Sequence, residues 1–461
     1  MAGLSGDSGK TVVCLALLLA AREAGLAARA FKKGPDYIDA AWLTWASGQP
    51  ARNLDSFLMG FDRARCSFQR HATPEGINLI EGNRGLFDGA DAQGTHSTAE
   101  LAKALQAPVI LVVNATKLTR TAAALVLGCQ RLDPEVRIAG IVLNQVAGER
   151  HETVLREAVE SVCGVPVLAA LPRASGEAPI PGRHLGLVTP EEHPEIAPLG
   201  EHLLGLTQGR LDLEAFLKIA RQAPPLEIAV HTPDAVPDGH GLKIGYVRDS
   251  AFTFYYPENL EALTAAGAEL RTVSALADTS LPPDLDALYI GGGFPETHAP
   301  RLAANGAFLG ALRDAAQRGL PIYAECGGLM LLCQAILWEG LAFPMAGVLP
   351  FRVEVCQRPQ GHGYTELWVD SPNPFFPTGA VLRGHEFHYS RILLEGATPA
   401  AACAVRRGTG CFHQRDGITA SNVWASYTHL HALGAPEWAA GLLGAARRFQ
   451  DARQRKSPPA P

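Results

Sequence analysis

The 461-residue chain reads as two successive α/β units, each a mostly parallel sheet covered by helices. Three observations predict this. Short β-branched runs alternate with helical patterns from Lys10 to about Leu171, the alternation restarts at Leu242, and a proline-rich stretch separates the two series. The length suits two or three domains, each large enough to bury a core.

In the first unit the expected strands are "LAARAFKK", "INLIEG", "PVILVVN", "IAGIVLN" and "VPVLAALP". Helices are expected over Ser97–Gln106, Leu118–Gln130 and Glu152–Ser161, after one that opens at Lys10. A less regular segment follows. The stretch "RQAPPLEIAVHTPDAVPDGHG", with four prolines and late glycines, then reads as a linker over residues 222–241, leaving 1–221 as the first domain. In the second domain, 242–450, the series is strand "LKIGYV", a helix from Asn259, strand "ALYIGGG", helix Arg301–Arg318, strand "LPIYAE" and a helix from Gly328. The polar, Pro-containing end, 451–461, reads as a disordered tail.

Bulk properties narrow the partners. A formal net charge of −6, with both signs spread along the chain, offers no basic face for nucleic acid and no polybasic membrane patch. The longest apolar runs are too short to span a bilayer. Nine cysteines without paired CxxC spacing, and no secretory leader before them, point to reduced thiols in a cytoplasm.

Near the amino terminus, "LSGDSGKT" ends as a phosphate-binding loop ends. Backbone N–H groups around Gly6 and Gly9 and the positive end of the following helix would face phosphate. Lys10 would neutralise the β- and γ-phosphates, and Thr11 would offer its hydroxyl to Mg²⁺. The usual spacing wants glycine at position 4, whereas this chain has Leu4, with Gly3 one residue earlier. Such a loop normally follows a buried strand, yet only Met1 and Ala2 precede Gly3, so the natural start is expected upstream.

Two segments supply carboxylates on the same sheet edge. "KKGPDYIDAAW" presents Asp36 and Asp39, and "LIEGNRGLFDG" presents Glu81 and Asp88, a set suited to Mg²⁺ near a nucleotide. Taken singly, each could be a turn residue or a helix cap, the commoner fate of Asp before a helix. Asn144 could read an adenine edge or form a turn.

In the second unit, "LPIYAECGGLMLL" carries Cys326 on a strand-to-helix turn, with small residues at Ala324 and Gly328. That spacing suits a nucleophile elbow, and the adjoining helix N-terminus should lower the thiol pKa. "ASYTHLHAL" offers His429 and His431, which on a strand face opposite ways, so one of them, His429 by preference, is the acid/base partner. The loop in "YIGGGFPETH" provides Gly292 and Gly293, which with Gly327 could form an oxyanion hole.

Together these motifs resemble one family. "GLSGDSGKT", "FKKGPDYIDAAW", "RNLDSF", "EGNRGLFDG" and "STAELAKALQAPVILVV" are similar, in this order, to the synthetase half of the cobyrinic acid a,c-diamide synthases. "GYVRDSAFTFYYPENLEAL", "GGGFPE", "AECGGLM", "GYTEL", "RGHEFHYS" and "ASYTHLH" resemble their class I glutamine amidotransferase half. The resemblance covers nearly the whole chain. It implies a P-loop, dethiobiotin-synthetase-like domain joined to a class I amidotransferase domain, and it accounts for the early glycine, which dethiobiotin synthetase shares.

The implied activity is amidation of the a and c carboxylates of cobyrinate or a related tetrapyrrole, with ATP, Mg²⁺ and glutamine. By the same resemblance Cys326 and His429 are the glutaminase pair, and Lys10 and Thr11 belong to the phosphate loop. Asp36, Glu81 and Asp88 lie near nucleotide, metal and substrate, with Tyr37 and Asp39 on the substrate side. A homodimer is compatible with it. Many class I glutaminases place a glutamate two residues after the histidine, where this chain has His431. Asn83-Arg84 and Asn114 depart toward a subgroup that includes sirohydrochlorin a,c-diamide synthases. Two other classes compete: a P-loop regulator carrying an inactive glutaminase-like domain, and a cysteine hydrolase with a nucleotide sensor.

Overall fold

The computed structural model describes residues 1–173, 180, 182–183, 186–193, 195–227, 237–396 and 398–456. The chain divides into two compact units, Met1–His231 and Thr232–Pro461. Of the segments read as linker and tail, residues 228–236 and 457–461 lie outside the described residues.

The first unit alternates strand and helix. In chain order it comprises β1 (Ala2–Gly3), α1 (Lys10–Glu23), β2 (Ala28–Lys33), α2 (Tyr37–Ser47), β3 (Arg52–Leu54), α3 (Ser56–His71), β4 (Ile77–Glu81) and α4 (Thr98–Ala104). Then follow β5 (Val109–Asn114), α5 (Thr121–Leu132), β6 (Ile138–Val146), α6 (Glu149–Cys163) and β7 (Val167–Pro172). A short antiparallel pair, β8 (Gly182–Arg183) and β9 (Gly186–Leu187), precedes α7 (Ile196–Thr207) and α8 (Leu213–Arg221).

Two parallel ladders, β3-β2-β4 and β1-β5-β6-β7, make up the main sheet. Met1 joins them: its amino group donates to Ile80 O at 2.7 Å, and its carbonyl accepts from Gly82 N at 2.8 Å. The first strand is therefore present as two buried residues, Ala2 opposite Leu111 and Gly3 opposite Val112. Residues 109–113 are apolar and buried throughout, as a parallel strand covered on both faces requires.

The sequence missed helices here. Residues 36–39, read as a strand end, form the start of α2: Asp36 is its N-cap, accepting from Asp39 N at 2.7 Å, and Tyr37 and Asp39 stand in its first turn. The segment read as irregular holds α7 and α8, the latter capped by Asp212.

The second unit begins with the expected β10 (Lys243–Val247), α9 (Pro257–Ala265) and β12 (Ala287–Ile290), and between the last two it adds β11 (Glu269–Val273), which the sequence reading lacked. The single helix expected over 301–318 is two, α10 (Ala299–Ala304) and α11 (Gly306–Gln317), because Asn305 interrupts the pattern and its side chain caps α11. Next come β13 (Ile322–Glu325) and α12 (Gly327–Leu332). In the parallel order β11-β10-β12-β13 the elbow follows the carboxyl end of β13.

Beyond β13 the chain is mostly antiparallel. The strands are β14 (Ala335–Trp338), β15 (Leu341–Pro344), β16 (Arg352–Val355), β17 (Gly361–Val369), β18 (Val381–His388) and β19 (Ser390–Leu393), then β20 (Ala401–Arg407), β21 (Arg415–Ala420), β22 (Val423–Ser426) and β23 (His429–Leu430). Strand β22 pairs parallel to β13, and β21, β20, β17, β18 and β23 extend the same sheet to ten strands. The remaining four form a separate sheet ordered β15-β14-β16-β19.

The closing helix α13 (Glu437–Lys456) packs Trp438, Leu442 and Leu443 into the core. It runs six residues into the expected tail, a correction with a local cause: Arg453 donates to Asp286 at 2.8 Å and to Leu285 O at 3.1 Å, so the end is tethered. Among the described residues no helix is long and apolar enough to cross a membrane. All nine cysteines are free thiols.

Candidate functional site

Cys326 stands between β13 and α12 with φ 48° and ψ −98°. A side-chain-bearing residue held there is strained, and such strain persists only where the surroundings enforce it. Here Cys326 N donates to Ser426 O at 2.7 Å, fixing the turn to the neighbouring strand. Gly328 explains the small residue after the cysteine, since a Cβ there would meet Ile290 O at 2.4 Å. A Cβ on Gly327 would lie 3.1 Å from Gly293 N, so elbow and glycine loop are in contact. Gly293 has φ 156° and would carry a Cβ 2.1 Å from Ala251 O, so only glycine fits that close approach.

Burial pushes the Cys326 pKa well above the ordinary value, and Glu296 and Glu325 add to the rise, while the Gly327 N–H opposes it. The expected lowering by the helix N-terminus does not emerge, because burial, and after it Glu296, outweigh the Gly327 N–H at the start of the six-residue α12.

His429 and His431 separate as the strand alternation requires. The His429 ring lies against the glycine loop: a Cβ on Gly292 would fall 2.5 Å from its Cε1 and 3.4 Å from its Nε2. Its Nδ1 is 3.4 Å from Glu325 Oε2, and its face stacks on His385 at 5.0 Å between centroids. His431 faces away, with Nε2 3.5 Å from Glu258 Oε2 and its ring 4.5 Å from that of Tyr256. The structure therefore brings Cys326, His429, Gly292, Gly293 and Gly327 together and leaves His431 out. Within this group Gly292 makes room for the histidine, whereas Gly293 and Gly327 adjoin one another.

In the first unit the loop before α1 is closed on itself. Gly9, at φ 82°, caps the helix, and Gly6 lies exposed with open space around it. Lys10 Nζ donates to Ser5 O at 3.1 Å and to Ser8 Oγ at 3.4 Å. Burial, and then Lys32, lower the Lys10 pKa. Asn144 braces the loop from behind, its amide donating to Ser8 O at 3.0 Å and its carbonyl accepting from Gln145 N at 3.0 Å. A side chain on Gly9 would collide with it at 2.1 Å.

Beside the loop lies a buried charge cluster. Thr11 donates to Glu81 Oε1 at 2.7 Å, and Lys32 Nζ lies 3.2 Å from the same oxygen and 2.5 Å from Asp39 Oδ2. Burial alone would depress the Lys32 pKa, but Asp39 and then Glu81 hold it up. Burial raises Glu81, with Lys32 opposing, and burial followed by Asp39 raises Asp36 to about 7.

Of the expected metal set, Thr11 and Glu81 meet directly, at 2.7 Å. Asp36 is committed to capping α2, and among the described residues no three His, Cys, Asp or Glu side chains gather to hold an ion. Asp88 accepts from Gly85 N at 2.8 Å and so shapes the turn beside Leu4.

Three side chains in these sites escaped the sequence reading. Glu325, Lys32 and His385 all lie in segments already noted, "AECGGLM", "KKGPDYID" and "RGHEFHYS". The available signal was a charged or titratable residue within an otherwise buried strand, which needs a partner wherever it occurs.

A strained cysteine elbow and a histidine that both meet one glycine loop, in a chain that opens on a glycine-rich loop and helix, are the arrangement of a glutamine-hydrolysing ligase, the class that the relatives of this chain share. Residues 243–437 match the CobB/CobQ-like glutamine amidotransferase domain, and residues 1–187 the CobQ/CobB/MinD/ParA nucleotide binding domain. The chain is 44% identical over 439 residues to the cobyrinate a,c-diamide synthase of Magnetococcus marinus, covering 94% of this chain and 93% of that one. It is similar to those of Archaeoglobus fulgidus, 39% identical over 94% of each chain, and Syntrophotalea carbinolica, 40% identical over 98% of this chain and 97% of that one. The chain belongs to the cobyrinate a,c-diamide synthase family.

Proposed function

We propose that this enzyme amidates the a- and c-carboxylates of cobyrinate in cobalamin biosynthesis, using glutamine as nitrogen source and ATP as activator. The reading is carried by one observation: the Cys326 elbow and His429, held beside a glycine loop, stand in the same chain as the Lys10 phosphate loop.

At the cysteine site, Sγ attacks the side-chain carbonyl carbon of glutamine while its proton passes to His429. The N–H groups of the Gly292–Gly293 loop and Gly327 hold the developing oxyanion. The C–N bond then breaks, His429 returns the proton to the leaving nitrogen, and ammonia departs. Water, losing a proton to His429, attacks the thioester; the C–S bond breaks and glutamate leaves. The raised Cys326 pKa suits this scheme, because the thiol proton is given up to His429 as the substrate carbonyl arrives rather than beforehand.

A carboxylate is a poor electrophile, so the first unit activates it. Transfer of the γ-phosphoryl group of ATP to a carboxylate oxygen makes an acyl phosphate and ADP. Ammonia then displaces phosphate and loses a proton, leaving the amide. Lys10 leaves its internal oxygens to meet the phosphates, while Asn144 keeps the loop in place. Tyr37, Asp39 and Asp88 are assigned to the substrate side. Thr11 and Glu81 suit Mg²⁺, since Glu81 Oε2 is buried without a hydrogen-bond partner among the described residues, and the ion would neutralise phosphate charge there.

The test is product mass spectrometry on the purified protein, offered cobyrinate, hydrogenobyrinate or nickel sirohydrochlorin with MgATP and glutamine. Two carboxylates of cobyrinate converted to amides is the expected result. Conversion of nickel sirohydrochlorin alone would assign the chain to the subgroup suggested by Asn83-Arg84 and Asn114. Glutamate release uncoupled from any amide product would contradict the ligase reading.

A further inference from the structure

In this chain the position two residues after the active-site histidine is His431, which packs against Glu258 and Tyr256 on the far side of β23. The imidazole of His429 nevertheless meets a carboxylate, supplied by Glu325, the residue directly before the nucleophile. We propose that Glu325 is the positioning residue for His429, so that one strand end delivers both the nucleophile and the group that orients its acid/base partner. This rests on the glutaminase reading of Cys326 and His429.

The geometry suits the role. Glu325 is fully buried. Its Oε1 accepts from Tyr323 OH at 3.2 Å and from Leu430 N at 3.2 Å, and its Oε2 accepts from Tyr289 OH at 3.2 Å beside the 3.4 Å approach of His429 Nδ1. Tyr289 and Tyr323 are register partners on β12 and β13, and Glu325 follows Tyr323 by two on the same strand face. The carboxylate is thus fixed from both strands and from β23.

Two consequences follow for the imidazole. A carboxylate at Nδ1 keeps the proton there, which leaves Nε2 as the basic nitrogen on the Gly292 side, where the Cys326 proton must go. It also stabilises the imidazolium formed when that proton arrives. Glu325 is fully buried, so bulk solvent screens its charge little and its interaction with a newly charged ring is strong. The stacked His385 and the Leu430 N–H restrict the ring and its strand, but neither can supply negative charge.

The Glu325→Gln variant tests this. It keeps the side-chain shape and removes the charge. Glutamine hydrolysis should fall at least about tenfold in kcat, less than the roughly 10²–10⁴-fold that a direct general acid or base contributes, while amidation with added ammonium stays at the wild-type rate. The acidic limb of the kcat/KM profile for glutamine should move to lower pH, because imidazolium loses its counter-charge. Tyr289→Phe provides an independent arm with the opposite sign: removing one donor leaves the carboxylate a stronger partner, so the limb should move to higher pH. A Glu325→Gln enzyme with wild-type kcat and an unmoved limb overturns the proposal. If that variant does not fold, an unmoved limb in Tyr289→Phe overturns it. Absence of glutaminase activity in the wild-type protein would instead remove the reading on which the proposal rests.

Discussion

The two candidate sites are built on opposite plans. Around Cys326 the polar groups are assembled, and each is directed by a neighbour: the elbow by Ser426, His429 by Glu325 and His385, the glycine loop by Ala251. Around Lys10 the charges are turned on one another, with Lys10 folded onto its own loop and Lys32 shared between Asp39 and Glu81. A site for a neutral amide needs fixed geometry and little charge. One for a polyanion with a metal ion holds charges of both signs, which stay paired until ligands replace those pairs.

This contrast predicts where the two plans break. Lys10→Ala strikes the charged plan and should reduce amidation by on the order of 10³-fold with either glutamine or ammonium, while glutamate release continues; loss of the glutaminase step as well would argue against separate sites. Gly292→Ala strikes the fixed plan. Its Cβ would displace the His429 ring, at 2.5 Å from Cε1, so glutamine hydrolysis should fall about 10²-fold and ammonium-dependent amidation should persist.

A smaller effect concerns pH. Burial, and then His429, hold the His385 pKa well below its ordinary value, so the folded state binds fewer protons than the unfolded chain. That contribution to stability is full above the unfolded histidine value near pH 6.5 and is lost as pH falls. The unfolding midpoint of wild-type protein should therefore drop between pH 7 and 5 more steeply than that of His385→Asn. A difference of roughly 2–4 °C, the shift given by about 1 kcal/mol in a domain of this size, is expected. Equal slopes would remove His385 from the account.

The same contrast governs how much was legible in the sequence. Local, short-range chemistry was: the cysteine between strand and helix, the glycines beside it, and Gly9-Lys10-Thr11 opening α1. Most strands of the parallel halves, β2, β4 to β7, β10, β12 and β13, followed from their apolar runs, whereas β3 and β11 did not. The antiparallel strands β17, β18, β20 and β21 did not, since their pairing is set by contacts between residues far apart in the chain. Asp36, read as a metal ligand with a helix cap as its alternative, caps α2 through its side chain. Glu325 and Lys32 were in plain view but acquire roles only through Tyr289, Leu430, Asp39 and Glu81, none of which their own neighbourhood in the sequence reveals.

The central claim is that ammonia made at Cys326 is consumed at a separate, ATP-dependent site. Its most direct test is amide formation on cobyrinate by Cys326→Ala with MgATP, comparing glutamine with ammonium as nitrogen source. The account predicts no amide from glutamine and a wild-type yield from ammonium; loss of both, in a variant that remains folded, would contradict it.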